Sequence, residues 1–201
     1  MIILTSNGLS SDTMIDAVKP FVSGCTRAAI VTTASVGYKE NDRHIPRLAS
    51  ELEQINLSVD FFDFDTQRAE LLLDYDVVEI NGGNPFYLLR AMQKENIREV
   101  MEKIAKKKLF IGVSAGSVVL QKNIKLIAGY SPELNDGIGL TDMTGLGLTN
   151  LEILPHYHRF ITRFDRFEER VRKYEITNNC EVIRLDDGAG VIVCENGYEF
   201  I

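Results

Sequence analysis

The stretch "LFIGVSAGSVVL", residues 109–120, runs from an apolar, β-branched segment into a serine set between two glycines and then into a helix-like pattern. Ser114 is either a nucleophile on a strained turn or a small residue where a strand meets a helix. In Gly112-Val113-Ser114-Ala115-Gly116 the glycines stand two residues to either side of the serine, the spacing of the G-x-S-x-G nucleophile elbow. A strand that reverses sharply into a helix strains its turn residue and crowds the positions two before and two after it, where a side chain would collide. The hydroxyl then projects from the carboxyl end of the sheet above a helix N-terminus, where open α/β sheets bind ligands. The motif by itself is weak, but the strand "LFIGV" before it and the helical start "SVVLQ" after it supply the context it needs. Ser117, the competing hydroxyl, falls inside the helix and is aimed less well.

Outward from the elbow, apolar runs alternate with amphipathic segments. The strand candidates are "IILT", "AAIVTT", "SVDFFDF", "DVVEI" and "LFIGVS". Between them "SSDTMIDAVKPFV", "KENDRHIPRLASELEQI" and "NPFYLLRAMQKENIREVMEKIAKKK" repeat apolar residues at three- and four-residue intervals, as helices do. The alternation predicts an α/β fold: a three-layer, doubly wound, mostly parallel sheet with helices on both faces. Residues 122–150 are rich in Gly, Asn, Asp and Thr without a sustained period, and so long a stretch in a compact domain is usually functional. Then come a strand "LEILPHYH", a charged amphipathic helix "TRFDRFEERVRKYE" and a closing pair, "CEVIRLD" and "AGVIVCENGYEF", that reads as a C-terminal β-hairpin about "DDG". Without repeat or linker, residues 1–201 read as one domain.

Composition narrows the function. Hydrophobic residues make up 45% and charged residues 25% of 201 residues, as in globular proteins and unlike disordered ones. A formal charge of −7 argues against nucleic acid, which needs clustered Lys and Arg. The opening "MIILTSNGLSSD" has no basic leader and no apolar run approaches a membrane span, so a cytoplasmic location is expected. Cys25, Cys180 and Cys194 form no CxxC pair and read as reduced, mostly buried thiols rather than a disulfide framework or zinc site.

A nucleophilic serine needs a base and donors for the developing oxyanion. Of three histidines, His44 lies in an amphipathic segment before the elbow and reads as a solvated helix residue. His156 and His158, in "LPHYHRF", end an apolar strand, where alternation puts them on one face; spacing alone does not choose between them. In "EINGGNPFYLL" a strand ends in Asn81-Gly82-Gly83, with Asn84 and Pro85 as cap and first residue of a helix. Tandem glycines let backbone N–H groups face a ligand, and with the Ala115 amide they form a candidate oxyanion hole. The plainer reading is a turn that starts a helix.

Through "GVSAGS", "NGGNPF" and "GLGLTNLEILPHYH", the chain resembles peptidase family S51, which contains aspartyl dipeptidases and cyanophycinases. The likeness runs from the first strand to about Gly188. The G-x-S-A-G-A pattern of the family matches residues 112–116 with Ser117 in place of the last alanine; its G-G-G-N matches Gly82, Gly83 and Asn84 with Asn81 in place of the first glycine. Its proline-histidine-aromatic motif matches Pro155, His156 and Tyr157 and selects His156 as the base. The resemblance implies a flavodoxin-like, class I glutamine amidotransferase-like fold, a serine peptidase acting on short peptides through an acyl-enzyme on Ser114, and no metal or cofactor. It implies an acidic third member in "LDDG", hence Asp187, with Asp142 and Asp186 as alternatives. It implies oxyanion donors Gly83 and Ala115, and substrate contacts from Gly82, Asn84 and an arginine in the helix after the histidine. Arg163, Arg166, Arg170 and Arg172 are available there, and Arg170 is the candidate, although the gripping position aligns with Phe167. The partner is a small peptide, with Asp-X dipeptides first; a monomer or homodimer fits. Two other classes stay open: an α/β-hydrolase esterase using Ser114, Asp142 and His156, and a non-catalytic binding protein on the same scaffold.

Overall fold

In the computed structural model, which describes residues 1–94, 97–195 and 197–201, five apolar runs form parallel strands: β1 (Ile2–Thr5), β2 (Arg27–Val31), β3 (Ser58–Phe62), β4 (Val77–Ile80) and β5 (Leu109–Val113). The sheet continues through β8 (Gly190–Cys194), antiparallel to β1, and β9 (Gly197–Phe200), antiparallel to β8, in the order β3-β2-β4-β5-β1-β8-β9. The helices α1 (Asp12–Val18) and α2 (Ile45–Glu53) cover one face, and α3 (Pro85–Met92), α4 (Ile97–Lys107) and α5 (Ala115–Val119) the other.

The period of two along each strand builds this sandwich. Ile3, Ile30, Val77 and Ile111 point to the layer of α1 and α2, where they meet Met14, Leu48 and Leu52. Leu4, Val31, Val78 and Phe110 point the other way, against Phe86, Leu89 and Met101. Phe86 and Phe110 are fully buried, and each such side chain contributes about 1.5–3 kcal/mol of hydrophobic stabilisation. The helix starts follow their caps: Ser11 accepts from the Met14 N–H, and Asn84 accepts from the N–H groups of Phe86 and Tyr87 with Pro85 at the first helical position.

The structure differs from the sequence reading in five places. The segment read as one helical stretch, 84–108, forms α3 and α4, and Glu95 and Asn96 of that stretch lie outside the described residues. Residues 122–150 contain α6 (Lys125–Tyr130) and a 3-10 turn, Pro132–Asn135; both are too short for a period to show. The strand "LEILPHYH" ends early: β6 is Glu152–Pro155, and α7 (Tyr157–Arg163) and α8 (Phe167–Asn178) follow, so His156 sits on a turn and His158 on a helix rather than alternating on one face. Next, β7 (Val182–Leu185) pairs in parallel with β6 in a separate two-stranded sheet. The hairpin is therefore β8–β9, with Asn196 of the "AGVIVCENGYEF" run outside the described residues, and "DDG" carries the chain from the small sheet to the large one. Cys25 and Cys180 are half-buried and Cys194 is exposed, rather than mostly buried, and all three are free thiols. Among the described residues no helix is long and apolar enough to cross a membrane.

Candidate active site

The elbow forms as a strained turn. Ser114 has φ 51° and ψ −111°, a region that costs on the order of 1–3 kcal/mol and persists only where its surroundings enforce it. The two glycines allow close packing, but against different partners from those foreseen. A Cβ on Gly112 would lie 2.7 Å from the Ser117 Cα, and one on Gly116 would lie 2.0 Å from the Ile80 carbonyl oxygen of β4. The elbow is thus wedged against the neighbouring strand. Ser117 is fully buried; its hydroxyl donates to the Thr5 carbonyl and accepts from the Thr5 N–H, fastening α5 to β1.

Across from Ser114 stands His156, whose Nε2 lies 2.9 Å from the Ser114 Oγ and whose Nδ1 lies 2.5 Å from Asp187 Oδ1. The structure thus brings Ser114, His156 and Asp187 into one line. His156 is in the left-handed region, φ 57° and ψ 32°, at the point where β6 gives way to α7. The two aspartates of "DDG" divide their work: Asp187 faces the imidazole, while Asp186 accepts from the His158 N–H in the first turn of α7. Asp142 lies elsewhere, exposed and accepting from the Thr144 N–H, and is not brought to Ser114 or His156.

Burial favours the uncharged imidazole and lowers the His156 pKa below its ordinary value, against the pull of Asp187 and with the help of Arg159. Partial burial alone would push Asp187 up, but hydrogen bonds from Ser6 and His156, with the Arg159 charge, hold it below the ordinary carboxylate value. The pair is therefore carboxylate and neutral imidazole near neutral pH. With Asp187 accepting the Nδ1 proton, Nε2 is left unprotonated toward the serine.

Behind Ser114, the glycine turn packs on the elbow. A Cβ on Gly82 would come 3.1 Å from the Ser114 Cβ, and Gly83, at φ +139°, leaves no room for one against the Ala34 carbonyl. Asn81 takes the Gly82 N–H with its own Oδ1 at 2.6 Å. Among the described residues no acceptor takes the N–H of Gly83 or Ala115, so these two amides are open donors at the turn and elbow.

A cavity of about 610 Å³ opens in front of the serine. Ser6, Asn7, Gly82, Gly83, Ser114 and His156 form its floor. Its rim is mainly basic, with Arg43, His44, Arg47, Arg159 and Arg163 against Asp42 and Glu133. His44, read as a solvated helix residue, lines this cavity from the start of α2. From residues 122–150, Ile127, Ser131, Glu133 and Leu134 form one wall. Sequence reasoning missed Ser6 and Arg159; Ser6 carries only the signal that it follows a central strand at its carboxyl end.

A sequence model described as Peptidase family S51 matches residues 2–201. The chain belongs to peptidase family S51. An uncharacterized peptidase of Listeria monocytogenes is 30% identical over 60% of this chain and 60% of its own length. Peptidase E of Streptomyces coelicolor is 26% identical over 87% of this chain and 71% of its own. The segments matched in the Listeria and Pasteurella peptidases span 53% to 63% of those proteins. In fold, a Listeria monocytogenes protein assigned to Peptidase E superposes with TM-score 0.76 at 24% identity, covering 100% of this chain and 96% of that one. A peptidase from an acI-B1 Actinobacterium gives 0.72 at 15%, over 100% and 86%. Both share the mixed α/β architecture.

Two substrate contacts implied by the S51 resemblance are placed differently. Asn84 caps α3 and donates from Nδ2 to the Leu134 carbonyl at 2.7 Å; it tethers the cavity wall instead of lining the cavity. Arg170 donates to the Gly129 carbonyl and lies over the Phe164 ring, outside the cavity lining. Phe167, at the gripping position, is 2% exposed within a cluster of Tyr130, Phe160 and Phe164. Arg166 pairs with Glu169 and Arg172 with Glu168. Of the four arginines named for this helix region, Arg163 is the one that lines the cavity.

Proposed function

We propose that this S51 chain is a serine peptidase that hydrolyses short peptides. The observation that supports it best is the line from Ser114 Oγ through the His156 ring to Asp187, with hydrogen-bond distances of 2.9 and 2.5 Å. His156 Nε2 withdraws the Ser114 proton as the oxygen attacks the peptide carbonyl, and the N–H groups of Gly83 and Ala115 receive the oxyanion. His156 passes its proton to the departing amine; water then attacks the acyl-enzyme by the same route. Asp187 holds the imidazole tautomer and stabilises the imidazolium.

The cavity, about 610 Å³, is within the range of small-molecule sites, which suits a dipeptide or tripeptide better than a folded chain. The excess of arginine at the rim favours an anionic substrate group, and Asp-X dipeptides are the first candidates. With Phe167 buried, recognition falls to Arg163 of α7 or Arg43 at the start of α2. Arg43 has no carboxylate partner among the described residues, whereas Arg163 lies 3.8 Å from Glu133.

A dipeptide library incubated with the purified protein tests this reading. Hydrolysis is expected, abolished by Ser114→Ala and reduced about 10³- to 10⁴-fold by Asp187→Ala, the scale on which serine triads depend on their acid. Asp142→Ala retains turnover, which separates this reading from the esterase-like triad. Arg43→Ala raises KM for Asp-X more than for neutral dipeptides. A folded protein that cleaves nothing in the library contradicts the proposal.

A further inference from the structure

The side chain that joins the members of the site to one another is a serine outside the line. Ser6 follows β1 and, although it lies at the cavity floor, is fully buried, with its hydroxyl committed to protein partners rather than open to substrate. Its hydroxyl donates to Asp187 Oδ1 at 2.9 Å and accepts from the His156 N–H at 2.9 Å. A hydroxyl has one proton to give and lone pairs to receive, and both functions are used here on two residues of the candidate machinery. The Ser6 Oγ also lies 3.3 Å from His156 Nδ1. The nearer partner of that nitrogen, at 2.5 Å, is the same carboxylate oxygen. Asp187 Oδ1 therefore receives both Ser6 O–H and His156 Nδ1–H, while Oδ2 is taken by Arg159.

The neighbours of Ser6 extend the clamp. The Ser6 N–H donates to the Ala189 carbonyl, and Asn7 Oδ1 accepts from the Gly188 N–H, so the turn after Asp187 is held at two further points. The Thr5 carbonyl accepts from the Ser114 N–H. Three consecutive residues at the end of β1 thus touch the segments of Ser114, His156 and Asp187. The strand itself is fixed between β5 and β8, which makes it a rigid reference for all three.

We propose that Ser6 is a positioning residue for the reaction: its one hydroxyl sets the left-handed His156 backbone and the Asp187 carboxylate in register with the nucleophile. This rests on the serine-peptidase reading above. Ser6 acts through His156 and Asp187, without touching substrate.

The test is the pH dependence of fluorophosphonate labelling and of dipeptide turnover in Ser6→Ala, with Ser6→Thr as the variant that keeps the hydroxyl. In Ser6→Ala, kcat and the labelling rate fall about 10- to 100-fold, the scale of a sub-ångström to ångström misplacement of a reacting group, while KM stays near its original value. Without the hydroxyl, Asp187 directs its full charge at the imidazole and water gains access, so the acid limb of the pH profile moves upward. Ser6→Thr restores rate and limb toward the original. Should the alanine variant not fold, the nearly isosteric Ser6→Cys, a weak donor and acceptor, gives the same directions. A folded Ser6→Ala with unchanged rate, or with the limb unmoved or lower, overturns the proposal whatever happens to its melting temperature. The imidazole Nδ1–H proton resonance keeps the test independent of catalysis. If the original protein takes no fluorophosphonate, the peptidase reading fails, yet a resonance lost in Ser6→Ala and kept in Ser6→Thr still supports positioning, and one unchanged in both overturns it.

Discussion

His156 carries most of the chemistry that one residue carries here, because its position, tautomer and protonation are each set by a different neighbour. Pro155 ends β6 before it, Ser6 holds its N–H, and Asp187 holds its Nδ1. Burial lowers its pKa below the ordinary value of 6.5, so the uncharged base exists at lower pH than for a free histidine. The sign follows directly: activity is present while the imidazole is neutral and is lost as pH falls through the lowered pKa. A pH series of labelling or turnover is expected to show its acid limb below the unperturbed imidazole value. Ser114 and its partners were legible to different degrees. The elbow is local sequence and declared itself; Asp187 emerged only through the family pattern, since an acid in "LDDG" has no local reason to face a histidine. Ser6 was not legible, because its partners lie 150 and 181 residues away and a serine after a first strand has no distinguishing pattern.

Elements fix these side chains by close packing rather than by added bonds. The turn from β5 to α5 depends on Gly116, where an added Cβ would meet the Ile80 carbonyl at 2.0 Å. Backbone has no rotamer with which to yield, so Gly116→Ala is expected to destabilise by at least about 1–3 kcal/mol, the usual cost of overpacking, in urea unfolding. It should also lower activity by displacing Ser114. At α7 the adjacent aspartates separate structure from chemistry. Asp186→Ala removes the carboxylate on the His158 N–H and costs about 1 kcal/mol, as for a lost cap, with turnover far less affected than by Asp187→Ala. The strands of the parallel sheet were legible because double burial makes their sequences continuously apolar. The parallel pairing of β6 with β7 was not, since two apolar runs about a "DDG" turn satisfy a hairpin pattern equally well, and only the crossover through α7 and α8 decides between them.

At the scale of the molecule, the carboxyl ends of β1, β4 and β5 converge on the cavity, as open α/β sheets arrange their ligands, and β6 brings the imidazole from outside the main sheet. One feature of the interior works against stability. Glu79 on β4 is fully buried, both carboxyl oxygens lack a hydrogen-bond partner among the described residues, and burial followed by the nearby Glu51 charge raises its pKa well above 4.5. The folded state then binds a proton that the unfolded state releases, so stability is greatest below the unfolded pKa and falls as pH rises above it. Glu79→Gln is expected to flatten this decline, seen as a stability gain over the original protein that grows as pH rises above the unfolded value of 4.5 in urea titrations. Identical pH slopes in the two proteins would show that Glu79 does not titrate in this way. For the site itself, intact-mass and peptide-mapping analysis after fluorophosphonate treatment is decisive, because only an activated serine reacts. The expected result is a single adduct on Ser114, absent in Ser114→Ala and formed much more slowly in Asp187→Ala. No adduct on the folded protein, or an adduct on another residue that persists in Ser114→Ala, would contradict a nucleophile held at the elbow.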